Sequence, residues 1–250
     1  MLQRRQKITE LINQEGQITF ARLKEAFPTV SEMTLRTDLK ALDENHAIVR
    51  IHGGARSIEI VAGTDGPLAQ RSVRKQQEKI EIAKKAVGLL HSCASVFLDS
   101  GSTAATLARF FPDTPRQIFT SGISCASELA ALEKPTVHMI GGRLNRYSLS
   151  VSGSRSILEL QDYHFDICFL GVTSFHPDSG FCCGGAEDCA LKQMAMRRAD
   201  LTVALMDSGK FGLTHAHCIC PPDGVDVVVT DNAMPQEQRE FFVQRGITVL

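Results

Sequence analysis

The sequence lacks a long apolar segment, an excess of charge of one sign and a composition typical of disorder. No apolar run approaches the roughly 20 residues that a membrane-spanning helix needs. The charged start MLQRRQKITELI has no signal-peptide apolar core. The formal net charge is −1, so the overall charge does not favour binding to nucleic acid. Any such binding would need a local basic patch. We therefore expect a cytoplasmic globular protein without a membrane partner.

Eight cysteines are present, but a disulfide framework is not expected, because disulfides are rare in cytosolic proteins. A metal sensor is an alternative that rests on Cys182, Cys183 and Cys189 and on the stretch from His215 to Cys220. Zinc sites usually pair their ligands as C-x2–4-C or H-x3–5-H, and these residues do not have that spacing. The sequence thus predicts no metal site and no cofactor.

The first 55 residues have the pattern of three helices followed by a hairpin. Thr19 and Ser31 are residue types that cap helix N-termini. A Gly53-Gly54 turn follows an alternating stretch and predicts a hairpin. Three leucines recur at i, i+4 and i+7 of the third helix and should face its core: Leu35, Leu39 and Leu42.

The opposite face of the third helix carries short polar side chains near its start and two cations, Arg36 and Lys40. A helix that enters the DNA major groove needs this arrangement, because base edges meet the first turns and phosphates meet the cations. A solvated face of an ordinary helical bundle is the alternative. The predicted DNA-binding residues are Arg4, Arg5, Thr19, Ser31, Met33, Thr34, Arg36, Thr37, Lys40, Arg50 and His52.

Residues 59–76 contain glycine, proline and scattered polar residues and predict a linker. This divides the chain into a DNA-binding domain, residues 1–58, and a larger domain, residues 77–250. In the larger domain, apolar runs of strand length alternate with helical patterns. This alternation predicts the α/β class, with a mostly parallel sheet covered by helices on both faces.

Ligands bind such sheets at the carboxyl ends of the strands, and several predicted strands end in small, hydroxyl or glycine residues. The first of these ends leads through a glycine and hydroxyl loop into a helix, which suits a phosphate. An ordinary strand-to-helix turn explains that loop alone equally well, but the pattern repeats. The predicted site residues are Asp99, Ser100, Gly101, Ser102, Thr103, Thr120, Ser121, Gly141, Gly142, Asp207 and Lys210.

Two sets of motifs in this sequence resemble those of a known family. The run VSEMTLRTDLKALDENHAIVRIHGGA, residues 30–55, is similar to the winged helix-turn-helix of the DeoR family of bacterial transcriptional regulators. The motifs LDSGST (98–103) and DSGKFG (207–212), with Thr-Ser and Gly-Gly between them, are similar to its effector domain. That domain is related in fold to ribose-5-phosphate isomerase.

The resemblance implies a transcriptional regulator, with a repressor of a carbohydrate-metabolism operon as the better expectation. Its expected partners are double-stranded operator DNA, a phosphorylated sugar and further copies of itself, since one winged helix reads too few base pairs. By position, Ser100–Thr103 would hold the phosphate, while Asp99, Glu187 and Lys210 would meet the sugar.

The alternative to a regulator is an isomerase-like enzyme, in which those last three side chains transfer protons. The N-terminal DNA-binding pattern argues against catalysis as the main task. No catalytic residue is therefore predicted.

Overall fold

The computed structural model describes residues 2–15, 17–45, 47–51, 53–57, 68–91 and 93–250. The chain divides into two compact units, Met1–Asp65 and Gly66–Leu250. Each unit has a hydrophobic core of its own. In the described residues, none of the helices has the length and apolar character needed to cross a bilayer.

The first unit combines a helical bundle with a small antiparallel sheet. Its elements are α1 (Leu2–Glu15), β1 (Gln17–Thr19), α2 (Phe20–Ala26), α3 (Glu32–Glu44), β2 (Ile48–Ile51) and β3 (Gly54–Ser57). Strand β3 lies between β1 and β2 and pairs with both. The predicted winged helix-turn-helix is confirmed, with β2 and β3 as the wing. The three-residue strand β1 was missed in the sequence.

The two predicted N-caps are confirmed. The Thr19 hydroxyl accepts a hydrogen bond from the Arg22 amide at 3.2 Å, and the Ser31 hydroxyl accepts one from the Thr34 amide, also at 3.2 Å. Each bond satisfies an amide that has no partner within its helix. The predicted leucine face of α3 is buried in the core against α1.

The second unit alternates strands and helices. Its elements are α4 (Leu68–Val73), α5 (Gln76–Val87), β4 (Ser95–Leu98), α6 (Ser102–Ala108), β5 (Gln117–Thr120), α7 (Ile123–Leu129), β6 (Thr136–Met139), β7 (Arg143–Asn145), β8 (Ser150–Ser152), α8 (Ser154–Leu160), β9 (Phe165–Gly171), β10 (Ser174–His176), β11 (Gly180–Cys183), α9 (Ala186–Arg197), β12 (Ala199–Leu205), β13 (His217–Cys220), β14 (Val227–Val229), α10 (Gln236–Val243) and β15 (Thr248–Val249).

In the described part of this unit, seven strands form one sheet in the order β15-β14-β12-β9-β4-β5-β6, and every pairing in it is parallel. Alternate residues of a strand point to opposite faces. Val96 and Leu98 pack with α5 and α6 on one face, whereas Phe97 packs with α8 and α9 on the other. The predicted parallel sheet with helices on both faces is confirmed.

Three parts of the second unit differ from the prediction. Residues 68–73, which were predicted to lie in the linker, form helix α4. The Leu68 amide donates to the Tyr147 carbonyl at 2.7 Å. A second antiparallel sheet has the order β10-β11-β13, and β7 pairs with β8 in a separate hairpin. These short strands carry little periodicity, so local pattern did not reveal them.

Candidate functional site

Helix α3 presents a polar surface away from the core of the first unit. Arg36, Thr37 and Lys40 are exposed, and Met33 is 76% exposed. The Thr37 hydroxyl donates to the Met33 carbonyl one turn back, at 2.9 Å. This surface therefore combines an apolar side chain, which can contact a thymine methyl group, with groups that can hydrogen-bond to bases or phosphates.

Arg36 and Arg50 line one depression between α3 and the wing. The guanidinium carbon of Arg36 lies 4.3 Å from the centre of the Phe20 ring. Such a cation–π contact restrains the side chain without neutralising its charge. The arrangement offers two cations to one segment of a sugar-phosphate backbone.

Arg4 and Arg5 have a role within the fold that the sequence did not suggest. Their Nε atoms donate to the two oxygens of Asp38, at 2.6 and 2.8 Å, and so fasten α1 to α3. Burial acts to raise the pKa of Asp38, but the two guanidinium groups outweigh it and hold that pKa below its ordinary value. A DNA contact by Arg4 and Arg5 stays a prediction.

The Asp38 contact gives a testable stability effect. We expect Asp38→Asn to lower the free energy of unfolding of the first unit by about 1.5–3 kcal/mol, the range for hydrogen bonds to charged groups. Because the folded-state pKa is lowered, this contribution is present above the unfolded pKa of about 4 and is lost as the pH falls through the folded value. Hydrogen exchange of amides in α1 and α3 from pH 7 to 3 measures both effects.

Glu44→Gln on the same helix is the matched control for Asp38→Asn. Glu44 is exposed and pairs with Lys40 at 3.7 Å, a surface ion pair of small worth. Unchanged protection of α1 and α3 in Asp38→Asn at pH 7 would show that the Arg4 and Arg5 contacts do not stabilise the unit.

The other predicted DNA contacts fall into two groups. The Thr19 and Ser31 hydroxyls cap α2 and α3, and the Thr34 hydroxyl lies 2.8 Å from that of Ser31. These three side chains therefore stabilise the starts of α2 and α3, and a DNA contact by any of them stays a prediction. His52 lies outside the described residues.

In the second unit, most of the predicted effector residues lie at the carboxyl ends of five neighbouring strands, β12, β9, β4, β5 and β6. We call this end of the sheet the carboxyl edge. Leu98 pairs with Thr120 on one side and with Phe169 on the other. Asp99 and Ser121 thus follow adjacent strands at the same level. From β4 the chain continues to β5 and β6 on one side, and later strands lie on the other. Such a switch point is where ligands bind in open α/β sheets.

Asp99 lies at the centre of this edge and is fully buried. Its Oδ2 atom accepts hydrogen bonds from the Lys192 amine and, at 2.9 Å, from the Gly171 amide. The Lys192 amine also lies 3.3 Å from Asp188 Oδ2. Burial raises the pKa of Asp99 against the opposing effect of Lys192. Burial acts to lower the pKa of Lys192, but Asp188 and Asp99 outweigh it and raise that pKa, so Lys192 is an ammonium ion.

Asp207, at the end of β12, lies among cations. Its Oδ1 atom accepts from the Lys75 amine, and its Oδ2 atom lies 3.9 Å from the Lys210 amine, which donates to the Val172 carbonyl. Burial acts to raise the pKa of Asp207. The nearby ammonium groups, first that of Lys210, outweigh burial and hold this pKa below its ordinary value. Asp207 therefore stays ionised and positions the lysines beside the edge.

Glu187 lies outside this buried group. It lies in the first turn of helix α9, and its Oε2 atom accepts from Arg143 at 2.6 Å and from the Ser152 hydroxyl at 3.3 Å. Its pKa is lowered, chiefly by the hydrogen bond from Arg143. Gly141 and Gly142, at the end of β6, are exposed. The next residue of α9, Asp188, is half-buried, and its Oδ2 atom lies 3.3 Å from the Lys192 amine.

Arg71 and Lys75 near this edge were missed because residues 59–76 were assigned to a linker, and Lys79, just beyond that segment, was missed with them. Arg71 lies in α4 and Lys79 in α5, and Lys75 lies between the two helices, directly before α5. A Cβ built on Gly101 would lie 3.6 Å from the Arg71 guanidinium. Lys75 has a left-handed backbone, with φ at 47°. Such conformations cost free energy and concentrate at functional sites.

The eight cysteines are free thiols. Burial raises the pKa of Cys183 above its usual range and that of Cys220 to about 12, so these sulfurs are protonated near neutral pH. Across the described residues, no group of three or more His, Cys, Asp or Glu side chains is arranged to hold a metal ion.

Each of the two units matches a known protein-family model. A model of the DeoR-like helix-turn-helix domain matches residues 4–61, and a model of the DeoR C-terminal sensor domain matches residues 74–232. The chain is 30% identical to the putative aga operon transcriptional repressor of Escherichia coli O157:H7, covering 99% of this chain and 93% of that one. It is also 30% identical to the lactose phosphotransferase system repressor of Streptococcus mutans, with 84% of each chain covered.

Among solved structures, ribose 5-phosphate isomerase A from Methanocaldococcus jannaschii matches 54% of each chain at 19% identity, with a TM-score of 0.40. The two family models together cover most of the chain, and the similarity to the Escherichia coli repressor extends over nearly all of it. The chain belongs to the DeoR family of transcriptional regulators.

Proposed function

We propose that this protein represses a carbohydrate-metabolism operon and releases its operator when a phosphorylated sugar binds the second unit. Operator contact would come from α3 and the wing, with Arg36 and Arg50 on the sugar-phosphate backbone or base edges. Because one winged helix reads few base pairs, the working form would be a homo-oligomer on a repeated operator. Bacterial operators lie in the cytoplasm, so the protein would act there.

The observation that carries the ligand proposal is the chemistry of the carboxyl edge. Small hydroxyl and glycine residues follow β4 and β5, and their amides and hydroxyls suit a phosphate. Cations stand beside them: Arg71 near Gly101, and Lys75 and Lys210 around Asp207. The buried Asp99 supplies acceptor groups for hydroxyls. The site would thus accept a ligand with an anionic group at one end and hydroxyl groups at the other, as in a sugar phosphate.

A thermal-shift series on the full-length protein tests this ligand class. At 100 times its dissociation constant, a ligand specific for the folded state stabilises by about 2.7 kcal/mol. For a chain of this size that corresponds to a rise in Tm of about 5–10 °C. We expect pentose or hexose phosphates to give such a rise and the unphosphorylated sugars to give none. Equal behaviour of phosphorylated and unphosphorylated sugars would contradict the phosphate contact.

We assign no catalytic role to this edge, since relatives that match most or nearly all of the chain are named as repressors. The check is turnover of ribose 5-phosphate by the full-length protein, followed by the appearance of the ketose phosphate. Sustained turnover would overturn a role limited to regulation.

A further inference from the structure

The carboxyl groups that contact Lys192 are those of the fully buried Asp99 and the half-buried Asp188, and they differ in one property from the buried Asp231 of the same sheet. Lys192 is 3% exposed and contacts Oδ2 of both Asp99 and Asp188. The second oxygen of each carboxylate, Oδ1, is buried and has no hydrogen-bond partner among the described residues. The hydroxyl of Ser121, which follows the adjacent strand β5, is likewise buried and without a partner in the described chain.

Asp231, which follows strand β14 of the same sheet, is a carboxylate whose hydrogen bonds are all made within the fold. It is 1% exposed. Its Oδ2 accepts from the Ser208 amide at 2.7 Å, and its Oδ1 accepts from the Ser208 hydroxyl at 3.0 Å and the Ala233 amide at 2.9 Å. Both oxygens are therefore satisfied within the fold. Asp99 and Asp188 differ, since each keeps one buried acceptor for a group from outside the chain.

The charges of this cluster favour a ligand that donates hydrogen bonds. One ammonium group lies between two carboxyl groups, so the cluster offers no excess positive charge to an anion. Unpaired buried acceptors are unfavourable until a donor reaches them. Neighbouring hydroxyl groups of a sugar, or the ammonium and hydroxyl groups of an amino sugar, supply such donors.

We infer that Asp99 and Asp188, held by Lys192, form the subsite that selects the carbon chain of the effector, and that Asp188 is its specificity-determining residue. This inference rests on the proposed function, because the phosphate must bind beside it. It assigns the role to Asp188 instead of Glu187, whose carboxylate is held by the exposed Arg143. Ser121 extends the subsite toward β5.

The test compares Asp188→Asn with the wild-type protein, both at full length, by thermal shift. Each ligand effect is referred to the unliganded Tm of the same variant. The probes are inorganic phosphate, glucose 6-phosphate, fructose 6-phosphate, ribose 5-phosphate and glucosamine 6-phosphate. For the sugar phosphate that stabilises wild type most, we expect about ten-fold weaker binding in the variant, as for the loss of one hydrogen bond to a charged group. Binding of inorganic phosphate should stay within about two-fold.

Asp200→Asn is the matched control, because Asp200 lies near the amino end of β12 and pairs only with His164 among the described residues, at 3.0 Å. It should bind every probe as wild type does. Asp188→Glu is a second variant that keeps the charge but moves the oxygen, and we expect it to weaken the same sugar phosphate. A greater loss for glucosamine 6-phosphate than for glucose 6-phosphate assigns the donor as an ammonium group, and equal losses assign hydroxyls.

Two outcomes would contradict the inference and are distinguishable. If sugar phosphates stabilise wild type and both Asp188 variants equally, the subsite is wrong while the proposed function stands. If no phosphorylated sugar stabilises wild type, the proposed ligand class fails and the subsite fails with it.

Discussion

Arg36→Ala is expected to lower operator affinity about 10- to 100-fold per DNA-binding unit, since one good contact to a base is worth about 1–3 kcal/mol. Arg36 is exposed on α3, and its guanidinium group is held over the Phe20 ring beside Arg50. Removing it takes away a positioned cation and leaves the buried face of α3 intact. Fluorescence anisotropy of labelled operator DNA at a fixed salt concentration measures the change.

Arg109→Ala is the control for Arg36→Ala, because Arg109 lies on the second unit and pairs with Glu128 at 2.9 Å. It removes the same charge from the protein without touching the helix-turn-helix. We expect operator affinity to be unchanged in this variant. Equal affinity of Arg36→Ala and wild type would show that another surface of the first unit contacts the DNA.

Lys210→Ala is expected to leave operator affinity intact and to remove the response to the effector. Its amine lies beside Asp207 and the Val172 carbonyl, at the edge where the phosphate is proposed to bind. Loss of a charge-assisted hydrogen bond should weaken sugar phosphate binding about 10- to 100-fold. The readout is the concentration of sugar phosphate that releases half of the operator DNA.

Lys134→Ala is the corresponding control, since Lys134 is exposed in the turn before β6, near the amino ends of the strands. It should respond as wild type does. A Lys210→Ala protein that still releases DNA at the wild-type effector concentration would place the pocket elsewhere.

The helices and the central sheet could be read from the sequence because short-range chemistry determines them. Thr19 and Ser31 cap their helices through bonds to residues three positions away. The buried strands of the sheet are apolar runs bounded by glycine, hydroxyl and acidic residues. For the same reason, the predicted order of strand ends located most of the candidate ligand edge.

The contacts missed in the sequence link residues far apart along the chain. The sequence pattern predicts Asp38 to be one of several exposed polar residues of a recognition helix. In the structure it is buried and accepts hydrogen bonds from Arg4 and Arg5, more than 30 positions earlier. The partnership of Asp99 with Lys192 spans 93 positions, and no local period encodes it. Only one contact of Lys192 was predictable from the sequence, because Asp188 and Lys192 have the i, i+4 spacing of a helical ion pair.

Segment 68–76 was misassigned for a different reason. Its polar composition is typical of a linker, and only tertiary contacts reveal that α4 belongs to the second unit. Arg71 lies near Gly101 and Lys75 pairs with Asp207, and both of these partners are distant in the sequence.

The most direct test of the central claim is the operator affinity of the full-length protein with and without phosphorylated sugars. A duplex selected from a random library supplies the operator, and anisotropy at constant salt gives Kd. We expect specific binding that one sugar phosphate weakens about 5- to 150-fold, the usual range for coupled sites, while its unphosphorylated sugar has no effect. Selection of no specific duplex, or an operator Kd that no phosphorylated sugar changes, would contradict a sugar-phosphate-controlled repressor.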